Sequence, residues 1–147
     1  MLMLKIDIQK LSPSAMLPKR MTDHAAGYDL FSCHDENIIL KKGELHLIPT
    51  GLAISLPIGF EAQIRPRSGL AVKHKIGVLN SPGTIDADYR GEIKIILFNF
   101  GDKDFVIKPQ TRIAQMVIAK HETVKFEIKE QLDDTSRGEG GFGHTAH

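Results

Sequence analysis

The amino-acid sequence predicts an all-β fold, organised as a β-sandwich, a jelly roll or a barrel. Several segments alternate apolar and polar side chains with a period of two, which is typical of strands with one buried face. Glycine and proline residues separate these segments at short intervals, and helix signals are scarce. Many short strands with turns between them are typical of these three architectures.

Length and charge limit the classes of protein to consider. The 147 residues suffice for one domain with its own core but not for two. Hydrophobic residues make up 41% of the chain, which excludes a disordered protein. Nineteen basic and eighteen acidic side chains give a net charge of +1, so neither nucleic acid nor a membrane is expected as the main partner. With a single cysteine and no secretory leader, the expected location is the cytoplasm.

Alternation and short apolar runs predict seven strands and one helix. The strands are expected at residues 2–9, 38–40, 52–56, 93–97, 105–107, 113–119 and 124–128. The helix is expected at residues 68–75, where Ser68 is the predicted N-terminal cap and Gly77 follows the end.

The chain divides into a β-domain over residues 1–132 and a tail over residues 133–147. The tail has only Phe142 and Ala146 to bury, which is too little apolar surface to offset the entropy of ordering it. We therefore expect a mobile tail that becomes ordered when a ligand or a neighbouring chain fixes it.

The tail also contains a glycine-rich motif, residues 138–143, that formally matches G-x-G-x-x-G. A dinucleotide fingerprint is excluded, because no helix and no acidic residue can follow it. Two interpretations remain open. The motif is either a flap whose backbone N–H groups close on phosphates, with Arg137 and Phe142 beside it, or a plain flexible tail, which composition alone favours.

Two further polar segments are candidate binding elements. Residues 65–69 place two arginines, a hydroxyl and a glycine at the start of the predicted helix, which suits either phosphate binding or an ordinary solvated strand end. Residues 80–91 form a polar, turn-rich loop between apolar strands, where ligand-contacting groups tend to lie. This loop contains Asp86, although most loop aspartates are simply solvated turn formers.

Several classes of site are not expected. The seven histidines and Cys33 show no zinc-ligand spacing. The sequence also has neither a P-loop nor a G-x-S-x-G nucleophile elbow, which argues against a serine hydrolase.

Five ordered motifs together resemble those of the trimeric dUTPase family, the deoxyuridine triphosphate nucleotidohydrolases, over nearly the whole chain. They lie at residues 26–30 (AGYDL), 66–71 (PRSGLA), 83–91 (GTIDADYRG), 112–116 (RIAQM) and 137–143 (RGEGGFG). Each motif alone is weak, but five in the family's order and spacing are specific. With this resemblance, the flap becomes the preferred interpretation of the tail.

The resemblance implies a jelly-roll-like β fold, a homotrimer, and Mg²⁺-dependent hydrolysis of dUTP to dUMP and pyrophosphate. Such an enzyme limits uracil incorporation into DNA and supplies dUMP for dTMP synthesis. Asp86 would be the general base that activates water for attack on the α-phosphorus, and Asp29 would reach the metal through water.

The resemblance also implies the substrate-binding residues. Phosphate and water contacts would come from Arg67, Ser68, Gly69 and Gln115, and the uracil edge would meet Asn80 and the backbone of Gly83, Thr84, Ile85 and Asp86. The Tyr89 ring would pack on the deoxyribose, and Lys94 would add a main-chain contact. Arg137 would hold the outer phosphates and Phe142 would stack over the uracil, with the tail closing over a neighbour's site.

One residue departs from the family pattern, and two rival functions remain. His144 stands where family tails commonly carry a hydroxyl, which removes one expected phosphate contact and predicts pH-sensitive closure of the tail.

The two rival functions are a dCTP deaminase of the same fold and a non-catalytic nucleotide-binding trimer. The short chain and the residues 89–91 favour the dUTPase, and all the catalytic groups are present.

Overall fold

A computed structural model describes residues 3–143 and contains eleven strands and one helix within them. The elements are β1 (Asp7–Lys10), β2 (Tyr28–Phe31), β3 (Ile38–Leu40), β4 (Leu45–Pro49), β5 (Leu52–Ser55), β6 (Phe60–Arg65), α1 (Ser68–His74), β7 (Ile76–Val78), β8 (Gly83–Ile85), β9 (Lys94–Asn99), β10 (Phe105–Ile107) and β11 (Arg112–Lys120). The predicted all-β class with one short helix is confirmed.

All strand pairs are antiparallel, and they form four small sheets. The largest sheet has the order β2-β11-β6-β8, and a three-stranded sheet has the order β4-β9-β7. Two-stranded sheets pair β1 with β5 and β10 with β3. Most neighbours within a sheet are distant in sequence, so the sheets are joined by crossovers rather than by simple hairpins.

One hydrophobic core joins the sheets, and ten of the eleven strands contribute a side chain to it. Strand β9 shows the alternation clearly, because Ile95 and Leu97 are buried while Ile96 and Phe98 face outward. Burying one such aliphatic side chain stabilises the fold by about 1.5–3 kcal/mol. The inward faces of the sheets are therefore held together by a single contiguous core.

Several strands differ from their predicted ranges. At the N-terminus only residues 7–10 form a strand, and all four are exposed. Residues 124–128 alternate as a strand should, but they form none in this chain, because Val124, Phe126 and Ile128 are exposed and have no strand beside them among residues 3–143. Alternation alone does not form a strand: residues 7–10 are paired with β5, whereas residues 124–128 have no strand beside them in the described chain.

Five strands were not predicted, namely β2, β4, β6, β7 and β8. The signal for β6 was present, since Phe60, Ala62 and Ile64 alternate with polar residues. Strand β8 lies inside the segment that was interpreted as a long loop, and its three residues pair with β6. Strands this short carry too few residues for a periodic pattern to stand out.

The helix lies where it was predicted, but Ser68 does not cap it. Ser68 is its first residue, and Arg67 occupies the cap position with no side-chain capping hydrogen bond. The guanidinium of Arg67 is instead paired with Asp29, so the helix start depends on this tertiary contact. Lys75, in the left-handed conformation with φ 56°, ends the helix by donating its N–H to the Ala71 and Leu70 carbonyls.

The chain leaves the β-domain after β11. The His121 N–H still donates to the Gly59 carbonyl at 3.1 Å, and from there to Gly143 the chain has neither helix nor strand. Within residues 3–143, no helix is long and apolar enough to cross a membrane. His144 and the expectations attached to it lie outside the described residues.

Candidate active site

Strand β8 and the loop that follows it form one wall of a cavity of about 380 Å³. The opposite wall comes from β9 and from Leu47 of β4. The predicted site residues that line this cavity are Asn80, Gly83, Thr84, Ile85, Asp86, Tyr89 and Lys94. The structure thus brings together seven of the predicted residues, all from the third motif and its flanks.

Asp86 immediately follows β8, at the point where the strand turns. Its main-chain carbonyl accepts a hydrogen bond from the Tyr89 N–H at 3.1 Å, which closes a tight turn. The residue is exposed, and no hydrogen bond or ion pair among residues 3–143 engages its carboxylate. A carboxylate in this state has its oxygens free to accept a proton from a bound water.

The loop after Asp86 is held by side chains that bond to its own backbone. Arg90 Nη1 donates to the Ala87 carbonyl at 2.6 Å and to the Tyr89 carbonyl at 3.0 Å. The Tyr89 hydroxyl donates to the Glu92 carbonyl at 3.0 Å. These bonds fix the direction in which the Tyr89 ring faces the cavity. Sequence reasoning assigned no role to Arg90, although it lies inside the third motif.

A second cluster surrounds Asp29, which is only 9% exposed. Its Oδ2 accepts a hydrogen bond from Arg112 Nη1 at 3.2 Å and forms an ion pair with Arg67 Nε at 3.3 Å. Two guanidinium groups share one carboxylate, so the cluster carries an excess positive charge. Such an arrangement is suited to oxyanions, because arginine binds phosphate oxygens through two parallel hydrogen bonds. Sequence reasoning gave Arg112 no role, although it is the first residue of the fourth motif.

Gln115 lies on β11 beside this cluster, in register with Asp29 on one neighbouring strand and Arg65 on the other. Its Nε2 donates to the Pro66 carbonyl at 2.9 Å. Gly27 permits this position, since a Cβ at residue 27 would collide with the Gln115 amide. The glycine of the first motif and the glutamine of the fourth therefore fit against each other.

The two clusters do not form one pocket within a single chain. None of Asp29, Arg67, Ser68, Gly69 or Gln115 lines the cavity beside Asp86. On β6, Ala62 pairs with Ile85 and Arg65 pairs with Gln115, which offsets the two clusters by about 10 Å along the strand. They also lie on opposite sides of β6.

The predicted residues of the tail lie outside the cavity as well. Arg137 Nε donates to the Gly140 carbonyl at 2.8 Å, and the Gly138 N–H donates to Thr135 Oγ1 at 3.0 Å. The tail tip therefore folds on itself in a compact turn. Phe142 is fully exposed, and neither it nor Arg137 lines the cavity.

The donor groups for a metal are few. Among residues 3–143 no cluster of three or more histidine, cysteine or carboxylate side chains could hold an ion. Asp29 is the predicted contact, and its Oδ2 is already shared by two arginines. This donor set fits a hard cation that takes its oxygens mainly from phosphate and water.

Comparison with known proteins identifies the family. A family model for dUTPase matches residues 14–146. The chain belongs to the dUTPase family. The deoxyuridine 5'-triphosphate nucleotidohydrolase of Rickettsia felis is 59% identical over 142 residues, which cover 96% of each chain. The predicted family and the predicted class of enzyme, a dUTP diphosphatase, are both confirmed.

Solved structures of dUTPases share the fold. A mutant of the phage 80alpha dUTPase superposes with a TM-score of 0.87 at 28% identity, covering 95% of this chain and 98% of that one. A mutant dUTPase of the Staphylococcus aureus phage phi11, studied for its coordination of a structural Mg(II) ion, gives a TM-score of 0.80 at 25% identity and covers 89% of this chain and 100% of that one. The predicted jelly-roll-like fold is confirmed.

Proposed function

We propose that this dUTPase hydrolyses dUTP to dUMP and pyrophosphate by attack of water on the α-phosphorus, with Mg²⁺ bound to the triphosphate. The observation that carries the proposal is the cavity in which the free Asp86 carboxylate and the Tyr89 ring lie side by side along one loop. Phosphoryl transfer needs a positioned nucleophile and neutralised charge more than covalent help from the protein, and this chain offers both.

Asp86 acts as the general base in this proposal. Its carboxylate is free of internal partners in the described chain and lies on the wall of the cavity. A water held there transfers its proton to a carboxylate oxygen as it attacks phosphorus, and pyrophosphate leaves. Asp29 cannot take this role, because two arginines engage it.

The nucleoside part of dUTP occupies the β8 side of the cavity. Asn80 and the backbone of Gly83, Thr84, Ile85 and Asp86 face the uracil edge, and Lys94 adds a main-chain contact. A rigid backbone leaves no room for the methyl group of thymine. The Tyr89 ring packs on the deoxyribose, where the 2′-hydroxyl of a ribonucleotide would collide.

The positively charged cluster around Asp29 binds the triphosphate in the proposal. Arg67, Ser68, Gly69 and Gln115 supply donors, and Arg137 holds the outer phosphates when the tail closes. Mg²⁺ on the triphosphate would supply further charge neutralisation, and Asp29 would contact it through water. The few carboxylates of the cluster support this arrangement, in which the substrate brings most of the metal's ligands.

The active enzyme is a homotrimer whose sites are shared between subunits. Supporting this, the cavity and the Asp29 cluster are separate within one chain. In addition, the outer face of the β4-β9-β7 sheet presents apolar side chains beside the cavity. Leu45, Leu47 and Phe100 are 52%, 54% and 60% exposed there. An apolar sheet face of this kind is stabilised by a partner, and a second copy placed there brings its own polar cluster towards the cavity.

The tail is a lid that serves a neighbouring subunit, with the β-domain ending at residue 132 and the lid covering residues 133–147. Phe142 is exposed and free to stack on a base, and the alternating apolar residues at 124–128 are exposed before it. Both features suit a segment that becomes ordered on another chain. Location in the cytoplasm stays a prediction from the single cysteine.

The test measures pyrophosphate release from dUTP, dTTP, dCTP and UTP with Mg²⁺, each repeated with EDTA. We expect release from dUTP alone, abolished by EDTA. Ammonia release from dCTP would instead indicate a deaminase, and a folded trimer inert on all four would indicate a nucleotide-binding protein. Release that EDTA leaves unchanged would refute the role of Mg²⁺.

A further inference from the structure

The Tyr89 ring lies directly against the backbone of Gly91. A Cβ built on Gly91 would collide with the Tyr89 hydroxyl oxygen and would lie 2.6 Å from Cζ and 2.9 Å from Cε2. Real Cβ atoms do not approach other heavy atoms this closely, so one of the two groups would have to move. The ring therefore uses the space that the missing side chain leaves.

Backbone conformation does not explain this glycine. Gly91 does not have φ in the left-handed region, where five other glycines of the described chain lie. An alanine at position 91 can therefore adopt the same backbone without strain. The three heavy atoms nearest to a Cβ at this position all belong to the Tyr89 side chain.

The hydroxyl end of the ring, which lies against Gly91, is also fixed by a hydrogen bond. The Tyr89 hydroxyl donates to the Glu92 carbonyl at 3.0 Å. Glu92 is itself anchored, because its Oε1 accepts from the Gly51 N–H at 2.9 Å and its Oε2 lies 3.6 Å from Lys94 Nζ. The ring thus lies between a fixed acceptor and the bare Gly91 backbone, while it lines the cavity.

We propose that Gly91 is a specificity-determining residue, which positions the Tyr89 ring for discrimination between deoxyribose and ribose. This inference rests on the proposed function, because it requires the ring to face the sugar. With no Cβ at residue 91, the hydroxyl end of the ring lies against the backbone of the loop, and the ring presents a fixed surface at the sugar. An alanine displaces the ring from that surface and breaks its bond to Glu92, so neither sugar is held or excluded correctly.

The experiment is a double-mutant cycle of Gly91→Ala and Tyr89→Ala, with kcat and KM measured for dUTP and UTP. We expect Gly91→Ala alone to lower the dUTP/UTP ratio of kcat/KM about tenfold, mainly through KM for dUTP, since Asp86 is untouched. In the Tyr89→Ala background the same substitution changes the ratio less than about twofold, because the clashing ring is gone.

Asp88→Ala is the matched control, since Asp88 is exposed on the same loop and does not line the cavity. We expect Asp88→Ala to leave the dUTP/UTP ratio of kcat/KM unchanged. Thermal unfolding checks that every variant is folded. A ratio that stays at the wild-type value in Gly91→Ala while Tyr89→Ala lowers it overturns the inference and leaves the proposed function standing. The inference is also overturned if Gly91→Ala lowers the dUTP/UTP ratio equally in the wild-type and the Tyr89→Ala backgrounds. A wild-type enzyme inert on dUTP overturns the proposed function itself.

Discussion

Two aspartates in this dUTPase are placed in opposite environments. Asp29 is nearly buried and shares one oxygen between two guanidinium groups. Asp86 is exposed on the wall of the cavity and is free of internal partners among the described residues. A carboxylate held by two cations is fixed in place, whereas the oxygens of one without internal partners are open to a bound water. The two environments suit the different roles that the proposed function gives to these aspartates.

This contrast predicts the effect of Asp86→Asn. The amide keeps the size of the side chain but cannot accept the proton of the attacking water. We expect kcat for dUTP to fall by about 10²–10⁴ while dUTP binding changes little. Single-turnover kinetics and equilibrium binding of dUTP measure the two effects, with Asp88→Asn on the same loop as the control. An Asp86→Asn enzyme with a tenth or more of wild-type turnover would exclude the general-base role.

At the scale of elements, the end of β9 is locked by a buried polar side chain. Asn99 is fully buried, and its Nδ2 donates to the carbonyls of Leu40 at 3.0 Å and Lys103 at 2.8 Å. Its Oδ1 accepts from the Gly101 N–H at 2.9 Å. One amide therefore joins β3, the end of β9 and the turn that follows. A buried amide with all these partners satisfied stabilises one particular arrangement of strands.

Replacing Asn99 by alanine should destabilise the fold strongly. The substitution removes the partner of the buried Leu40 carbonyl and of two partly buried groups, the Lys103 carbonyl and the Gly101 N–H, and each unsatisfied buried group costs about 1–3 kcal/mol. We expect a loss of about 2–4 kcal/mol in the free energy of unfolding, allowing for local relaxation. Urea unfolding of Asn99→Ala and of the control Lys103→Ala, which removes only an exposed side chain, measures the difference. Equal unfolding midpoints for the two variants would contradict this role.

For the whole molecule, the apolar face of the β4-β9-β7 sheet predicts assembly. Leu45→Glu places a charge on this face without touching the cavity, which Leu45 does not line. If three copies pack through this face, burying an unpaired charge there opposes association. We expect the variant to remain folded, to run as a monomer in size-exclusion chromatography with light scattering, and to lose most activity.

Ile58→Glu provides the control for this substitution. Ile58 is 97% exposed at the tip of a turn, so a charge there should leave both assembly and activity unchanged. A Leu45→Glu variant that remains fully trimeric and active would show that this sheet face is not the interface.

The tail gives a second prediction at this scale. Removing residues 135–147 deletes the turn held by Thr135 and Arg137 together with Phe142, but none of the strands and core residues that lie within residues 3–143. The shortened chain should therefore unfold at the same temperature as the full chain and keep the same oligomeric state. Its kcat/KM for dUTP should fall about a hundredfold or more, because the lid no longer excludes water and orders the phosphates. Full activity without the tail would refute the lid.

The sequence by itself determined the all-β class, the family and the residue types of the site. These depend on local alternation and on five short motifs, which can be recognised without knowing what they touch. Only the tertiary structure decided that Arg67, at the cap position of the helix, pairs with Asp29, that Arg112 joins them across 83 positions of the chain, and that Gly91 lies against the Tyr89 ring. The contacts to Asp29 depend on the pairing and register of strands far apart in sequence, so no local pattern encodes them. The contact between Tyr89 and Gly91 is local in sequence, but it depends on how the loop folds. Residues 124–128 are a further example, because they alternate as a strand would but have no partner strand among residues 3–143. The pattern alone does not specify where a partner strand lies.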